Sequence, residues 1–234
     1  MKTFIWPVPT RIFHWLLAIG FTVVYILGDF DNLRKLHFAF GAFVGVLLFF
    51  RILYGLFGPK YSKFKDFPIG WNSQREFINS FFSKTKSYAG HNPGASLIML
   101  SIFIVGIICS ISGYYLYAAE NNVQNIGISE DFLEDLHEIT ANIFLILVGF
   151  HLLGILLETL LHKKTGTLKS IFTGYKNIES KDTKLNGFHN VFTLFWFIIP
   201  FYVSYLAYQL PISSKEKENK IEHNEYNNNE HDND

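Results

Sequence analysis

The sequence predicts an all-α fold, a transmembrane four-helix bundle with a fifth transmembrane helix beside it, and three observations predict it. First, the apolar residues gather in long uninterrupted runs. Phe13 to Gly28 carries no charged side chain, and Leu36 to Phe50, Ala95 to Ala119, Leu136 to Leu157 and Val191 to Leu210 are almost as clean. Each approaches or exceeds the roughly 20 residues that a helix needs to cross a hydrocarbon core. Second, nothing alternates with period two, and backbone groups in lipid must be satisfied within the segment, which leaves helices as the spanning element. Third, the charges are sorted between the connecting segments although the net charge is zero. Membrane lipid is therefore the expected surrounding, and no nucleic-acid partner is expected.

The sorting gives an orientation. Arg51, Lys60, Lys63, Lys65, Arg75, Lys84 and Lys86 fall in one connection, and Lys163, Lys164, Lys169, Lys176, Lys181 and Lys184 follow His162. The connection between them holds Glu120, Glu130, Asp131, Glu134 and Asp135 with no Lys or Arg. By the positive-inside rule the basic segments are cytoplasmic, and so is the N-terminus. The first run follows Lys2 and Arg11 but has no small-residue cleavage site after it, so it reads as a permanent span. The single Cys109 lies inside the third run, which leaves no disulfide framework and no cysteine-based metal or iron–sulfur site.

In chain order, the first span covers about Pro9 to Gly28, and the short linker DFDNLRK turns directly into the second, about Leu36 to Leu56. GPKYSKFKDFPIGW forms a basic inner loop, and SQREFINSFFSK reads as a short amphipathic helix at the membrane surface. The sequence GHNPG opens the third span. Ser129 to Phe132 caps the fourth, with SEDFLED placing carboxylates where a helix N-terminus favours them. That fourth helix is expected to reach past the membrane. The fifth segment, about Phe188 to Leu210, contains Pro200, where a kink is expected. Beyond it the tail SSKEKENKIEHNEYNNNEHDND is polar and Asn-rich and reads as disordered.

Ionisable residues inside spans are expensive and point to function. Of nine histidines, four fall inside spans at two matched depths. His14 lies near the inner end of the first span and His151 in the inner half of the fourth; His37 and His137 lie near the outer ends of the second and fourth. His137 and His151 are 14 residues apart, so they share a helix face and stand about 21 Å apart along the axis. Two imidazoles from different helices supply both axial positions of a haem iron and leave no open site, which makes such a centre an electron carrier. Any one of these histidines, taken singly, could instead be a core histidine satisfied by a carbonyl. Two depths, opposing helices and a shared face together favour haem. His162 and His189 read as headgroup-layer residues, His91 as a helix cap or a group near a haem propionate or quinone, and His223 and His231 as tail residues. Gly41 and Gly45 form a GxxxG pair, and Gly106 and Gly113 mark the third span. Such small residues let a helix or a flat macrocycle approach. Arg11 and Arg51 stand at inner helix ends, placed to neutralise propionates or to snorkel.

On the strength of these residues, the chain resembles the bacterial cytochrome b561 and nickel-hydrogenase cytochrome b family over about Trp6 to Lys176. The carriers are WPVPTRIFHWLLA, LHFAFGAFVGVLLFFRILYGLFGP, GHNPGA and LHEITANIFLILVGFHLLG. The resemblance implies a four-helix core with two b haems, His37 and His137 holding the outer and His14 and His151 the inner one near a quinone. It implies electrons entering from a periplasmic subunit of hydrogenase, formate dehydrogenase or thiosulfate reductase type in the bacterial inner membrane. The corresponding division is a dihaem domain at 1–186, the fifth helix at 187–210 and the tail at 211–234. The competing expectation is a self-standing quinone oxidoreductase acting on a small species such as superoxide. The acidic outer loops, with Arg34 and Lys35 as exceptions, favour a protein partner over steering of a small anion.

Overall fold

The computed structural model describes residues 1–81, 87–123 and 127–211. Lys84 and Lys86, His223 and His231, and all of the expected tail except Pro211 lie outside the described residues. Among the described residues, five helices are long and apolar enough to cross a membrane: α1 (Val8–Leu27), α2 (Arg34–Phe57), α4 (Pro93–Glu120), α5 (Glu130–Leu161) and α7 (Gly187–Gln209). Two shorter helices, α3 (Trp71–Phe81) and α6 (Thr167–Thr173), lie in the connections.

The boundaries follow from local chemistry. Asn92 caps α4 by accepting the Ala95 N–H at 2.8 Å, and Pro93 fills the first helical position, where no N–H is needed. Ser129 caps α5 through the Phe132 N–H, and Glu130 and Asp131 sit in its first turn against the positive end of the helix dipole. With 32 residues α5 is about 48 Å long, well beyond the roughly 30 Å hydrocarbon layer. The helix α7 is continuous through Pro200.

The centre of the bundle is α2, which packs against α1, α4 and α7, while α5 packs along α4. Phe43, Leu47, Leu48 and Tyr54 of α2 meet Phe13, Ile102, Phe103, Phe144 and Trp196 in one core. The exposed faces of α1, α5 and α7 are themselves apolar, as with Leu152, Leu153, Leu156, Phe195 and Tyr202, which is how a lipid-facing surface looks. Trp196 is fully buried, stacks on Phe197, packs tilted against Tyr54, and donates from Nε1 to the Leu47 carbonyl at 3.2 Å. Trp196→Ala is expected to cost about 3–5 kcal/mol by opening this seam, read as a lower unfolding midpoint in detergent.

His189 corrects a sequence expectation. It is buried rather than placed in the headgroup layer: its Nδ1 accepts the Asn186 N–H, the Asn186 side chain accepts the His189 N–H, and its Nε2 donates to the Phe57 carbonyl at 3.2 Å. This capping box ties the start of α7 to the end of α2.

One end of the bundle carries a cap. A short strand β1 (Thr3–Phe4) pairs antiparallel with β2 (Tyr175–Lys176). Ile5 and Trp6 donate to the Gly174 carbonyl, Trp6 Nε1 to Ser170 Oγ, and Thr183 Oγ1 to the Ile5 carbonyl. Gly174 has φ +88°, and a Cβ there would stand 2.7 Å from the Phe4 ring and 2.8 Å from the Trp6 carbonyl, so the turn requires glycine. Ile5, Trp6 and Tyr61 form a small core of their own inside this cap.

Candidate functional site

Four histidines meet in two pairs inside the bundle. His14 of α1 faces His151 of α5 with ring centroids 6.3 Å apart. His37 of α2 faces His137 of α5 at 5.9 Å. A single helix, α5, thus contributes one imidazole to each pair. Midway between them Phe144 of α5 lies against Phe21 of α1, with centroids 4.3 Å apart.

The two pairs are held differently. His37 Nδ1 donates to the Val24 carbonyl at 2.9 Å, and His137 Nδ1 donates to the Cys109 carbonyl at 2.9 Å. Because a carbonyl only accepts, both rings carry their proton on Nδ1 and leave the Nε2 lone pair free. His137 sits in a seat on α4, where Gly113 leaves just enough room: a Cβ there would be 2.7 Å from His137 Cε1. Ser112 Oγ and Cys109 Sγ also approach His137 Nδ1, at 3.4 and 3.6 Å. At the other pair, His14 Nδ1 is buried with no hydrogen-bond partner among the described residues.

His14 and His151 open into a cavity of about 510 Å³ between α1, α4, α5 and the cap, lined mainly by apolar side chains. Its polar lining includes Arg51, His91, Asn92, Glu158 and Lys176 together with the two histidines. Arg51 is 2% exposed and packs among the rings of Phe13, Phe64 and Phe103, and its Nη1 has no partner among the described residues. Lys176 is buried too, donating to the Tyr88 and Gly90 carbonyls. Burial pulls its ammonium down to about 8, the Glu158 carboxylate acting in the opposite sense, so it stays cationic at neutral pH. His91, packed between the tilted rings of Trp6 and Phe67, is held well below its ordinary value by burial first and then by the charges of Lys176 and Arg51, and is neutral.

The structure separates the other residues singled out in the sequence. Arg11 is spent on backbone: its guanidinium donates to the Trp6 and Phe172 carbonyls. A Cβ at Gly41 would meet Val24 of α1, and one at Gly45 would meet Ser110 of α4 at 3.0 Å, so both glycines lie on helix–helix seams. His162 is half-buried with its ring largely covered, Nδ1 lying 3.4 Å from Glu158 Oε2. Glu158 and Lys176 are cavity residues that the sequence pattern does not single out. For Glu158 the available signal is a carboxylate in the last turn of an otherwise apolar helix; Lys176 has none, being one lysine among several in a basic inner segment. At the end opposite the cap Arg34 is paired with Glu120, and Lys35 stands over the Tyr208 ring at 4.8 Å.

A multi-pass helical bundle that sets imidazoles against each other in its apolar interior defines a class: a haem-binding, electron-transporting membrane cytochrome of b type. The chain belongs to the prokaryotic cytochrome b561 family, whose model matches residues 5–174. It is 26% identical over 147 residues to the probable Ni/Fe-hydrogenase B-type cytochrome subunit of Azotobacter vinelandii, covering 49% of this chain and 59% of that protein. The probable Ni/Fe-hydrogenase B-type cytochrome subunit of Rhodobacter capsulatus matches at 27% over 145 residues, 50% of this chain and 55% of that protein. The probable Ni/Fe-hydrogenase 1 B-type cytochrome subunit of Escherichia coli (strain K12) matches at 27% over 143 residues, 49% and 60%. The chain therefore spans less than two thirds of the length of these curated relatives. No solved structure matches it. The matched region ends before α7, which lies outside it.

Proposed function

We propose that this cytochrome holds two b haems, His37–His137 binding the outer and His14–His151 the inner one, and carries electrons between a periplasmic redox-enzyme subunit and the quinone pool. The observation that carries the reading is the double pairing of imidazoles across the bundle. Two metal–nitrogen bonds of roughly 2 Å plus the half-widths of two rings separate the centroids of two imidazoles on one iron by about 6 Å, and both pairs stand near that value. The cavity beside His14 and His151 has the apolar walls that a macrocycle needs. Arg51 adds independent support, because a buried guanidinium with an unpaired Nη1 facing a cavity calls for an anion, and a propionate supplies one.

When bound, haem supplies a one-electron centre. Every other task falls to the chain. Each pair of imidazoles would hold one haem iron from two helices and leave oxygen and substrates no place on it. Arg51 and Lys176 would face the haem carboxylates at the cap end, where β1, β2 and α6 cover the bundle.

Lys60, Lys63, Lys65, Lys163, Lys164, Lys169 and Lys176 lie at the cap end and the carboxylates Glu130, Asp131, Glu134 and Asp135 at the opposite end, which supports a cytoplasmic cap and N-terminus in the inner membrane. The curated relatives are hydrogenase cytochrome subunits, which makes a hydrogenase-type partner the first candidate, ahead of the formate dehydrogenase and thiosulfate reductase types. Engagement of Arg34 by Glu120 and of Lys35 by Tyr208 leaves little free positive charge to steer a small anion such as superoxide. The dihaem unit would then occupy 1–186, with α7 as an added span at 187–210.

The test is a reduced-minus-oxidised spectrum with pyridine haemochrome quantitation on the purified protein. Two haems b per chain are expected. One haem, or none, overturns the reading.

A further inference from the structure

We propose that Glu158 and His162 form a proton relay into the cap-end cavity, Glu158 handing protons to a quinone reduced there and His162 reloading it from water. The inference rests on the quinone reading above and names the residues that supply its protons.

Electron transfer by itself has no use for either residue, and Glu158 stands where a carboxylate is costly. It lies in the last turn of α5, where the helix dipole opposes negative charge, and is only 9% exposed. It lines the cavity, as do Lys176 of β2, Arg51 of α2 and His91. Asn92 Nδ2, at the start of α4, donates to its Oε2 at 3.5 Å, and His162 Nδ1 lies 3.4 Å from the same oxygen. Lys176 directs its ammonium to the Tyr88 and Gly90 carbonyls, and Glu158 forms no ion pair with it among the described residues. The carboxyl is therefore not pinned in its charged form.

His162 supplies the other half of the path. Its side chain is 8% exposed, and Nε2 is buried without a hydrogen-bond partner among the described residues, while Lys163 and Lys164 directly after it are exposed. Imidazole exchanges protons with water near neutral pH, and one ring nitrogen can give a proton while the other takes one. Glu158 stands seven residues from His151, about 10 Å of helix rise, so protons arrive beside the paired imidazoles and not through them.

Reduction of a quinone takes two electrons and two protons. Both electrons come from the cytochrome, which is oxidised as the quinone is reduced. An O–H bond forms at each quinone oxygen as the Glu158 carboxyl O–H breaks; the carboxylate then takes a proton from His162 Nδ1, and the imidazole takes one from water. No other reactant is needed.

The experiment is stopped-flow reoxidation of the purified, haem-loaded, full-length protein by menadione, a tail-less naphthoquinone, and separately by ferricyanide, which accepts an electron without a proton. Glu158→Gln should lower the ratio of the menadione rate to the ferricyanide rate by roughly 100-fold, and Glu158→Asp, which keeps a carboxyl, should restore most of it. An unchanged ratio in Glu158→Gln overturns the relay. His162→Gln leaves the carboxyl in place and covers the case in which the Glu158 variants do not fold; it should lower the same ratio, and an unchanged ratio overturns the role of His162. A second readout needs no turnover. Dicyclohexylcarbodiimide couples to protonated carboxyls in apolar surroundings, so peptide mass spectrometry of the treated parent protein should find Glu158 modified, and an unmodified Glu158 overturns its role as a proton carrier. A parent protein that menadione fails to reoxidise removes the quinone reading itself.

Discussion

His151→Ala is expected to halve the haem content of the purified protein, from two per chain to one, with the remaining band belonging to the outer site. Alanine removes one axial ligand, and His14 cannot hold six-coordinate iron alone. The outer pair lies about 21 Å away along α5, at the far side of the Phe21–Phe144 contact, and keeps both of its backbone hydrogen bonds. The apolar face of α5 around position 151 is unchanged by the substitution, so expression and helix content should stay near those of the parent. Pyridine haemochrome quantitation reads the outcome. A variant that keeps both haems would show that His151 is a core histidine and not a ligand.

Gly113→Val should have the opposite selectivity and remove the outer haem. The position where its Cβ would stand is 2.7 Å from His137 Cε1 and 3.0 Å from His137 Nδ1, closer than packed atoms tolerate. Either the His137 ring turns away from its partner His37 and releases the Cys109 carbonyl, or α4 and α5 separate. The overpacking costs about 1–3 kcal/mol in stability, and the loss of ring position costs the site. Gly149→Val is the control, because nothing lies within 4 Å of a Cβ at that glycine. It should keep both haems. Equal haem loss in both variants would mean that valine perturbs the spans generally and that Gly113 is no special seat.

These two expectations also mark what is legible in the sequence. Apolar runs and matched histidine depths are local properties: the length of a run sets a span, and 3.6 residues per turn sets which side chains share a face. Helix ends are legible for the same reason, as at Ser129 and Asn92. The cap is not. Thr3 and Phe4 find Lys176 and Tyr175 only once the bundle has brought the two ends of the core together, and no two-residue strand carries a periodic signal. The same limit applies to the arginines. Arg11 and Arg51 are alike as basic residues at inner helix ends, yet one is used up on the Trp6 and Phe172 carbonyls and the other is enclosed by three phenylalanine rings beside the cavity. His162 and His189 read as interfacial because charges or a loop adjoin them in sequence; a tertiary contact with the Phe57 carbonyl buries His189, while the His162 ring lies one turn from Glu158 at the end of α5.

The rings of Phe21 and Phe144 meet seven residues, two helical turns, from each of His137 and His151 along α5. Leu48 and Gly106 close in around Phe144 from α2 and α4. An electron tunnels through such an aromatic layer, whereas a proton needs polar groups or water to hop along, and this septum offers it none. Between two bound haems the layer would behave as the dielectric of a capacitor, crossed by negative charge without a compensating ion. Full passage of one elementary charge through a membrane voltage of 100 mV is worth about 2.3 kcal/mol, and the step between the two sites feels the fraction of that drop lying between them. With haem at both pairs, electron transfer between them would be coupled to the membrane voltage, slowed towards the cap when the cap side is negative and quickened when the voltage collapses.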